Sequence, residues 1–299
     1  MSWKSYIKGF GAYMKLERSM SSNSIEAYIR DVKKYASWIN QYQEGIMPEN
    51  ADRKMISGFI QDIHKVGLSD RSQARILSGV KAFYKYLLLE DVIDDDPTDL
   101  IEGPKLSQKI PDILSYSEII ELLDTIDLSE AHGHRNRALL ETLYACGLRV
   151  SELITLKLSH FYVQEGFVQV IGKNNKERIV PIGQEAIQQN LYYINNYRNK
   201  LNIKSGHEDT LYLNRRGQGL SRVMVFYIIK DAAKKAGIKK KVSPHTFRHS
   251  FATHLVEGGA DLRAVQDMLG HESILTTEIY THLDTKFLRD TIMNYHPRS

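Results

Sequence analysis

A chain of 299 residues, 42% apolar and 25% charged, has room for one large domain or two ordinary ones and the make-up of a globular protein. No apolar run approaches the roughly 18 residues of a membrane span, no signal-peptide pattern opens the chain, and the single Cys146 excludes an internal disulfide or a multi-cysteine metal site, so a cytoplasmic location is expected. The net charge of +4 lies wholly beyond residue 100 and is too small an excess to identify a polyanionic partner by itself.

Residues 2–89 carry helical periodicity. Trp3, Tyr6, Ile7, Phe10, Tyr13 and Met14 recur at one spacing, and Tyr28, Ile29, Val32, Tyr35, Ala36 and Ile39 continue it after the cap candidates Ser21–Ser24. A third helix fits Arg53–Lys65, ahead of Gly67, and a fourth fits Asp70–Leu89. In the fourth, Ile76, Leu77, Val80, Phe83, Tyr84, Leu87 and Leu88 share one arc, while Arg71, Arg75, Lys81 and Lys85 gather opposite them. Such a face is first of all a solvated one, and it also suits a phosphate backbone. Prolines at both ends and a lack of periodicity make 103–111 an extended linker, which divides the chain into domains 1–102 and 112–299.

Beyond the linker, helices are predicted from Ser115 and over Arg135–Tyr144, the latter stopping near Gly147. Phe167–Ile171 and Arg178–Ile182 alternate as strands around a polar, basic turn that includes Lys173 and Lys176, the pattern of a β-hairpin. Helices then continue to the C-terminus. The expected fold is mainly α with a small antiparallel sheet.

Several residues in this second part have chemical potential. Ser243 and Pro244 suit the N-cap and first position of a helix, placing His245 and Arg248 on one face beside free backbone N–H groups, where an anion is favoured. Arg149, between Leu148 and Val150 and just past Gly147, is partly shielded and needs an anionic partner: Glu152, Glu141 or a bound phosphate. Lys173 at the hairpin turn can reach a neighbouring groove. His271 follows Gly270, the expected stop of helix 262–269, and Tyr280 is expected two turns inside the next helix, after the cap candidate Ser273. A phenol has a pKa near 10, so as a nucleophile Tyr280 requires a base or strong positive charge nearby. Each of these residues has an ordinary structural explanation when taken singly.

Their order and local strings resemble the tyrosine recombinase, or phage integrase, family. Arg149 stands in GLRVSEL, Lys173 in GKNNKERIVP, His245 and Arg248 in SPHTFRHSFATHL, His271 in LGH and Tyr280 in TTEIYTH. The resemblance covers essentially the whole chain, and six positions match in sequence order without departure. The length, the string GGADLRAVQDMLGH, the ending HPRS and the lack of an additional N-terminal arm-binding domain resemble the Xer branch.

The resemblance implies a two-domain, C-shaped DNA clamp: a helical core-binding domain over 1–102 and a catalytic domain over 112–299. It implies that Tyr280 attacks a scissile phosphate to give a 3′-phosphotyrosine, with Arg149, Arg248, His245 and His271 on the phosphate and Lys173 protonating the departing oxygen. Arg71, Arg75, Lys81 and Lys176 would then contact DNA. Neither metal nor ATP is expected as a cofactor. The implied partners are double-stranded DNA at a specific site, a paralogous Xer-type recombinase in a tetramer on paired sites, and the FtsK DNA translocase, with a nucleoid-associated location. The implied task is chromosome-dimer resolution at a dif-type site during cell division. A mobile-element integrase and a type IB topoisomerase-like enzyme are the alternatives. Phe287, Leu288, Ile292 and Tyr295 form an apolar stripe that suits docking on a neighbouring subunit or packing within its own.

Overall fold

The computed structural model describes residues 2–42, 44–106, 112–172, 175–270 and 282–298. The chain separates into two compact units, Met1–Lys109 and Ile110–Ser299.

The first unit holds helices α1 (Trp3–Leu16), α2 (Ser22–Tyr42), α3 (Arg53–Lys65) and α4 (Asp70–Leu89). Their starts follow from side-chain caps. Ser2, Asp52 and Ser69 accept the N–H groups of Ser5, Met55 and Ser72 and so satisfy donors a helix leaves free. The apolar faces meet in an aromatic core in which Phe10 meets Phe83 edge-on at 5.5 Å and Tyr35 lies 5.1 Å from Phe59. Along α4 the predicted arc is buried through Leu87, whereas Leu88 is exposed and Tyr86 is buried instead, against Phe10 and Tyr13. Of its cations, Arg71 and Lys85 are exposed and Lys81 is half-buried, while Arg75 is paired with the buried carboxylate of Asp31.

The second unit begins with α5 (Tyr116–Asp124), entered through a reciprocal capping box between Ser115 and Glu118. Next comes α6 (Ala131–Ala145), whose Leu139, Leu140, Leu143 and Tyr144 are fully buried. A short α7 (Val150–Ile154) leads to the antiparallel strands β1 (Phe161–Tyr162), β2 (Phe167–Ile171) and β3 (Glu177–Pro181), in the order β1-β2-β3. The hairpin is the predicted one with its second strand beginning one residue earlier. β1 is too short to show alternation in the sequence. Helices α8 (Gln184–Asn196), α9 (Arg222–Lys235), α10 (Pro244–Gly258), α11 (Leu262–Leu269) and α12 (His282–Tyr295) complete the unit.

Helix α6 packs against both α8 and α10, so the core surrounds it. Helix α12 packs on β3, α10 and α11 of its own chain, burying Leu288 and Ile292, while Phe287 and Tyr295 are exposed. The residues after α12 are also seated. The His296 ring centre lies 4.8 Å from that of Tyr144 and 5.4 Å from that of Phe251, and Nε of Arg298 donates to the buried Glu141 carboxylate at 2.9 Å.

Sheet register decides one consequential placement. Val168 pairs with Val180 and Val170 with Arg178, and side chains alternate between faces. Val168, Val170 and Val180 point into the core, and the same alternation turns Arg178 inward with them. A buried guanidinium is stable only when its charge and donors are met.

Candidate active site

The site is built from the ends of elements. Helix α6 stops at Gly147, which adopts φ +54° and turns the chain into Arg149, the N-cap residue of α7. The Arg149 backbone N–H donates to Oε2 of Glu152 at 2.8 Å, and its Nη1 donates to Oε1 of the same carboxylate at 3.0 Å. Of the partners considered for Arg149, Glu152 is the one engaged; Glu141 is held by Arg137 and Arg298. Arg149 keeps 37% of its side chain exposed, whereas Glu152 keeps 1%.

Arg178 closes over Glu152 from β3, with Nη1 at 2.7 Å from Oε1 and Nη2 at 2.9 Å from Oε2. Burial alone would raise the Glu152 pKa. The hydrogen bonds and charge of Arg178, followed by those from Arg149, outweigh it and hold the carboxyl below the usual range.

Helix α10 starts as the sequence predicts, with Ser243 at the N-cap, Pro244 in the first turn and a capping box to Thr246. His245 is exposed in this first turn. One turn on, Arg248 is buried, and its Nη1 donates to the carbonyl of Gly147 at 2.8 Å. Burial, and then the nearby Arg149 cation, pull Arg248 down to about 10.

The C-terminus of α11 gathers these side chains. Gly270 closes the helix at φ +64°, and three successive carbonyls each accept a different arginine. Arg178 Nε reaches Met268 at 2.9 Å, Arg248 Nη2 reaches Leu269, and Arg149 Nη2 reaches Gly270 at 3.3 Å. These are carbonyls a helix end leaves free, at the negative end of its dipole. Three guanidinium groups therefore converge around one carboxylate. The surplus positive charge, partly open to solvent at Arg149, fits a singly charged phosphodiester.

Of the six predicted residues, the structure brings Arg149 and Arg248 to the same helix end and leaves His245 exposed one turn before Arg248. Lys173, His271 and Tyr280 lie outside the described residues. Lys176 is exposed beside β3, and Arg71, Arg75 and Lys81 belong to the first unit. Of the other histidines, His254 Nδ1 bonds to the Tyr144 hydroxyl at 2.7 Å, His134 stacks on Tyr197 at 4.5 Å, and His132 sits 2.7 Å from a Glu130 oxygen. Sequence reasoning missed Arg178. The available signal was the strand alternation, which sets Arg178 on the same face as Val180.

Residues 113–286 match the Phage integrase family, and residues 7–91 match its N-terminal SAM-like domain. The chain is 43% identical to tyrosine recombinase XerD of Chlorobaculum tepidum, over 99% of this chain and 97% of that protein. It is 44% identical to tyrosine recombinase XerD of Staphylococcus saprophyticus, over 98% and 99%. Among solved structures, XerH site-specific recombinase bound to palindromic difH substrate in a post-cleavage complex matches with a TM-score of 0.72 at 25% identity, covering 95% of this chain and 83% of that one. The Tn1549 transposon integrase in complex with transposon right-end DNA shares the fold, with a TM-score of 0.74 at 18% identity over 90% and 92%. With its arginine-lined helix end and its full-length likeness to these proteins, the chain belongs to the phage integrase family of tyrosine recombinases, in the Xer branch.

Proposed function

We propose that this protein is a site-specific DNA strand transferase that cuts and rejoins DNA through a 3′-phosphotyrosine at Tyr280 and a Holliday-junction intermediate. The observation that carries the reading is the convergence of Arg149 and Arg248 on one helix end, with surplus positive charge beside a solvent-open guanidinium.

Tyr280 attacks the scissile phosphorus as the bond to the 5′-oxygen breaks. His245 accepts the phenolic proton, and Lys173 returns a proton to the leaving oxygen, a gain of about 10²–10⁴-fold for general acid catalysis. Arg149 and Arg248, with His271, stabilise the extra charge of the pentacoordinate state. The phosphotyrosine conserves the energy of the broken bond, so religation requires neither ATP nor metal.

The first unit serves as the core-binding domain, its α4 cations Arg71 and Lys81 meeting phosphates together with Lys176 of the hairpin, while Arg75, expected beside them, is held by the Asp31 carboxylate and has little charge to offer. The substrate is a dif-type site, and the task is chromosome-dimer resolution in the cytoplasm, at the nucleoid. The partners are a paralogous Xer-type recombinase, two copies of each on paired sites, and the FtsK translocase. Full-length likeness to XerD proteins supports this assignment over the mobile-element and topoisomerase alternatives.

The decisive experiment traps protein-linked DNA on nicked suicide duplexes and sequences the attached strand. Wild type should yield one recurrent sequence joined through its 3′ phosphate, and Tyr280→Phe should bind the same duplex without an adduct. An adduct that persists in Tyr280→Phe overturns the nucleophile. Relaxation of supercoils without recombination of a two-site plasmid would favour the topoisomerase-like alternative.

A further inference from the structure

The carboxylate of Glu152 poses a problem for an anion site. It lies beside Arg149, and a full negative charge there would neutralise the guanidinium meant for phosphate. Left to that one partner, Arg149 would be an ion pair with little charge to offer.

We infer that Arg178 is a positioning residue for strand cleavage: it cancels the charge of Glu152 so that this carboxylate can aim Arg149 without neutralising it. The inference rests on the functional reading above. Arg178 covers both carboxylate oxygens, at 2.7 and 2.9 Å, and is itself buried, so the two form a neutral unit facing the core. Arg149 donates one side-chain bond to that carboxylate through Nη1, which fixes its direction, and keeps its own charge unmatched. The third donor of Arg178, Nε, goes to the carbonyl of Met268. One side chain thereby ties the hairpin strand, the acid that orients Arg149 and the helix end that seats Arg149 and Arg248.

The packing is tight against Gly270 and in ordinary contact at Gly172. A Cβ on Gly270 would meet Cδ and Nε of Arg178 at 3.2 Å, and one on Gly172 would stand 3.7 Å from both Nη1 of Arg178 and Oε1 of Glu152. An arginine at this strand position is otherwise a poor choice: its neighbours on the same face are valines, and an apolar residue would bury without a partner. The charge, rather than the volume, explains it.

The test uses the full chain and the nicked duplex recovered from the trapping experiment, with single-turnover adduct formation, duplex affinity and thermal stability all measured. Arg178→Leu should bind the duplex within a few-fold of wild type and form adduct on the order of 10²-fold more slowly, the scale set by a misplaced catalytic group. Adding Glu152→Gln should recover at least about tenfold of that loss, because no bare carboxylate then competes for Arg149. On a duplex with a neutral methylphosphonate at the cleavage position, where the charge of Arg149 counts for less, the deficit of Arg178→Leu should shrink.

A purely structural role predicts equal deficits on the phosphate and methylphosphonate duplexes, and that result overturns the inference. Should Arg178→Leu fail to fold, the double variant decides alone, since it buries no unpaired charge: cleavage within about tenfold of wild type supports the inference, and a loss matching that of Arg149→Ala overturns it. Wild type forming no adduct on any duplex is a different failure, that of the functional reading, and the inference falls with it.

Discussion

Replacing Gly147 with alanine should damage the fold and the phosphate site through a single added atom. Gly147 ends α6 at φ +54°. A Cβ there would stand 2.3 Å from Cδ1, 2.8 Å from Cε1 and 2.9 Å from Cγ of Phe251, a ring buried in the core. Left-handed backbone costs a non-glycine residue roughly 1–2 kcal/mol, and forcing a buried ring aside costs about 1–3 kcal/mol. The sum is about 2–5 kcal/mol, which lowers the melting temperature of a unit this size by about 4–20 °C. The Gly147 carbonyl also seats Arg248 at 2.8 Å, so a shift of the turn moves a guanidinium needed at the phosphate. A displacement of about 1 Å costs on the order of 10²-fold in rate. Calorimetry reads the first effect and single-turnover adduct formation the second. A Gly147→Ala protein melting within about 1 °C of wild type and cleaving at the same rate would refute the steric argument and the role of this carbonyl together.

Arg149→Ala and Arg248→Ala should each slow adduct formation by about 10²–10³-fold while leaving duplex affinity nearly unchanged; affinity that falls as far as cleavage would show that the side chain docks DNA and does not stabilise the transition state. Phe83→Ala should cost the first unit about 3–5 kcal/mol, read as faster hydrogen exchange in α1–α4, and exchange as slow as in wild type would mean that the aromatic core is not its main support. Burial, with the nearby His254 and Arg298 adding to it, pushes His296 down to about 3 from 6.5. A folded pKa below the unfolded one means that the neutral ring contributes stability that is whole above pH 6.5 and is lost as pH falls toward 3. Wild type should therefore lose melting temperature between about pH 7.5 and pH 5, and His296→Phe should lose less; equal losses would place the acid sensitivity in another group.

The sequence exposed those features whose cause is local. Helices α3 and α4 follow from caps and period, and the α10 start follows from Ser243 and Pro244, each decided within a few residues. Arg149 was legible as a shielded cation, because leucine and valine flank it and a glycine precedes it. The choice of Glu152 over Glu141 was not legible, since both carboxylates lie within reach along the chain. Glu141 is claimed by Arg137, at the i,i+4 spacing of α6, and by Arg298, 157 residues away, and no spacing rule reports the second pairing. Arg178 was missed for a related reason. Its neighbours mark it as one more polar residue near a basic hairpin, and only the pairing of Val170 with Arg178 shows that it faces inward. Its partners, Glu152 and Met268, lie 26 and 90 residues away.

The use of a helix end to gather cations has a consequence for how phosphate enters. Carbonyls hold Arg248 and share in holding Arg149 through dipoles that carry no net charge, so neither guanidinium is neutralised by these contacts. Those bonds are charged on the guanidinium side only, whereas an arginine–phosphate pair is charged on both sides and can be bidentate. A phosphate oxygen arriving at Arg149 or Arg248 can therefore displace a carbonyl and still gain. Glu152 is the exception in the cluster, because its charge would compete with phosphate on equal terms, and it is also the one acceptor that Arg178 covers at both oxygens. The site thus separates two tasks usually performed by one counterion: carbonyls and a charge-cancelled carboxylate set where the guanidinium groups sit, while their charge stays available to the substrate. Replacing Glu152 with glutamine while Arg178 is retained should confirm this separation by adding repulsion among three unmatched cations, so that duplex affinity rises at low salt while adduct formation falls. A rise in both would mean that the carboxylate only weakens the site.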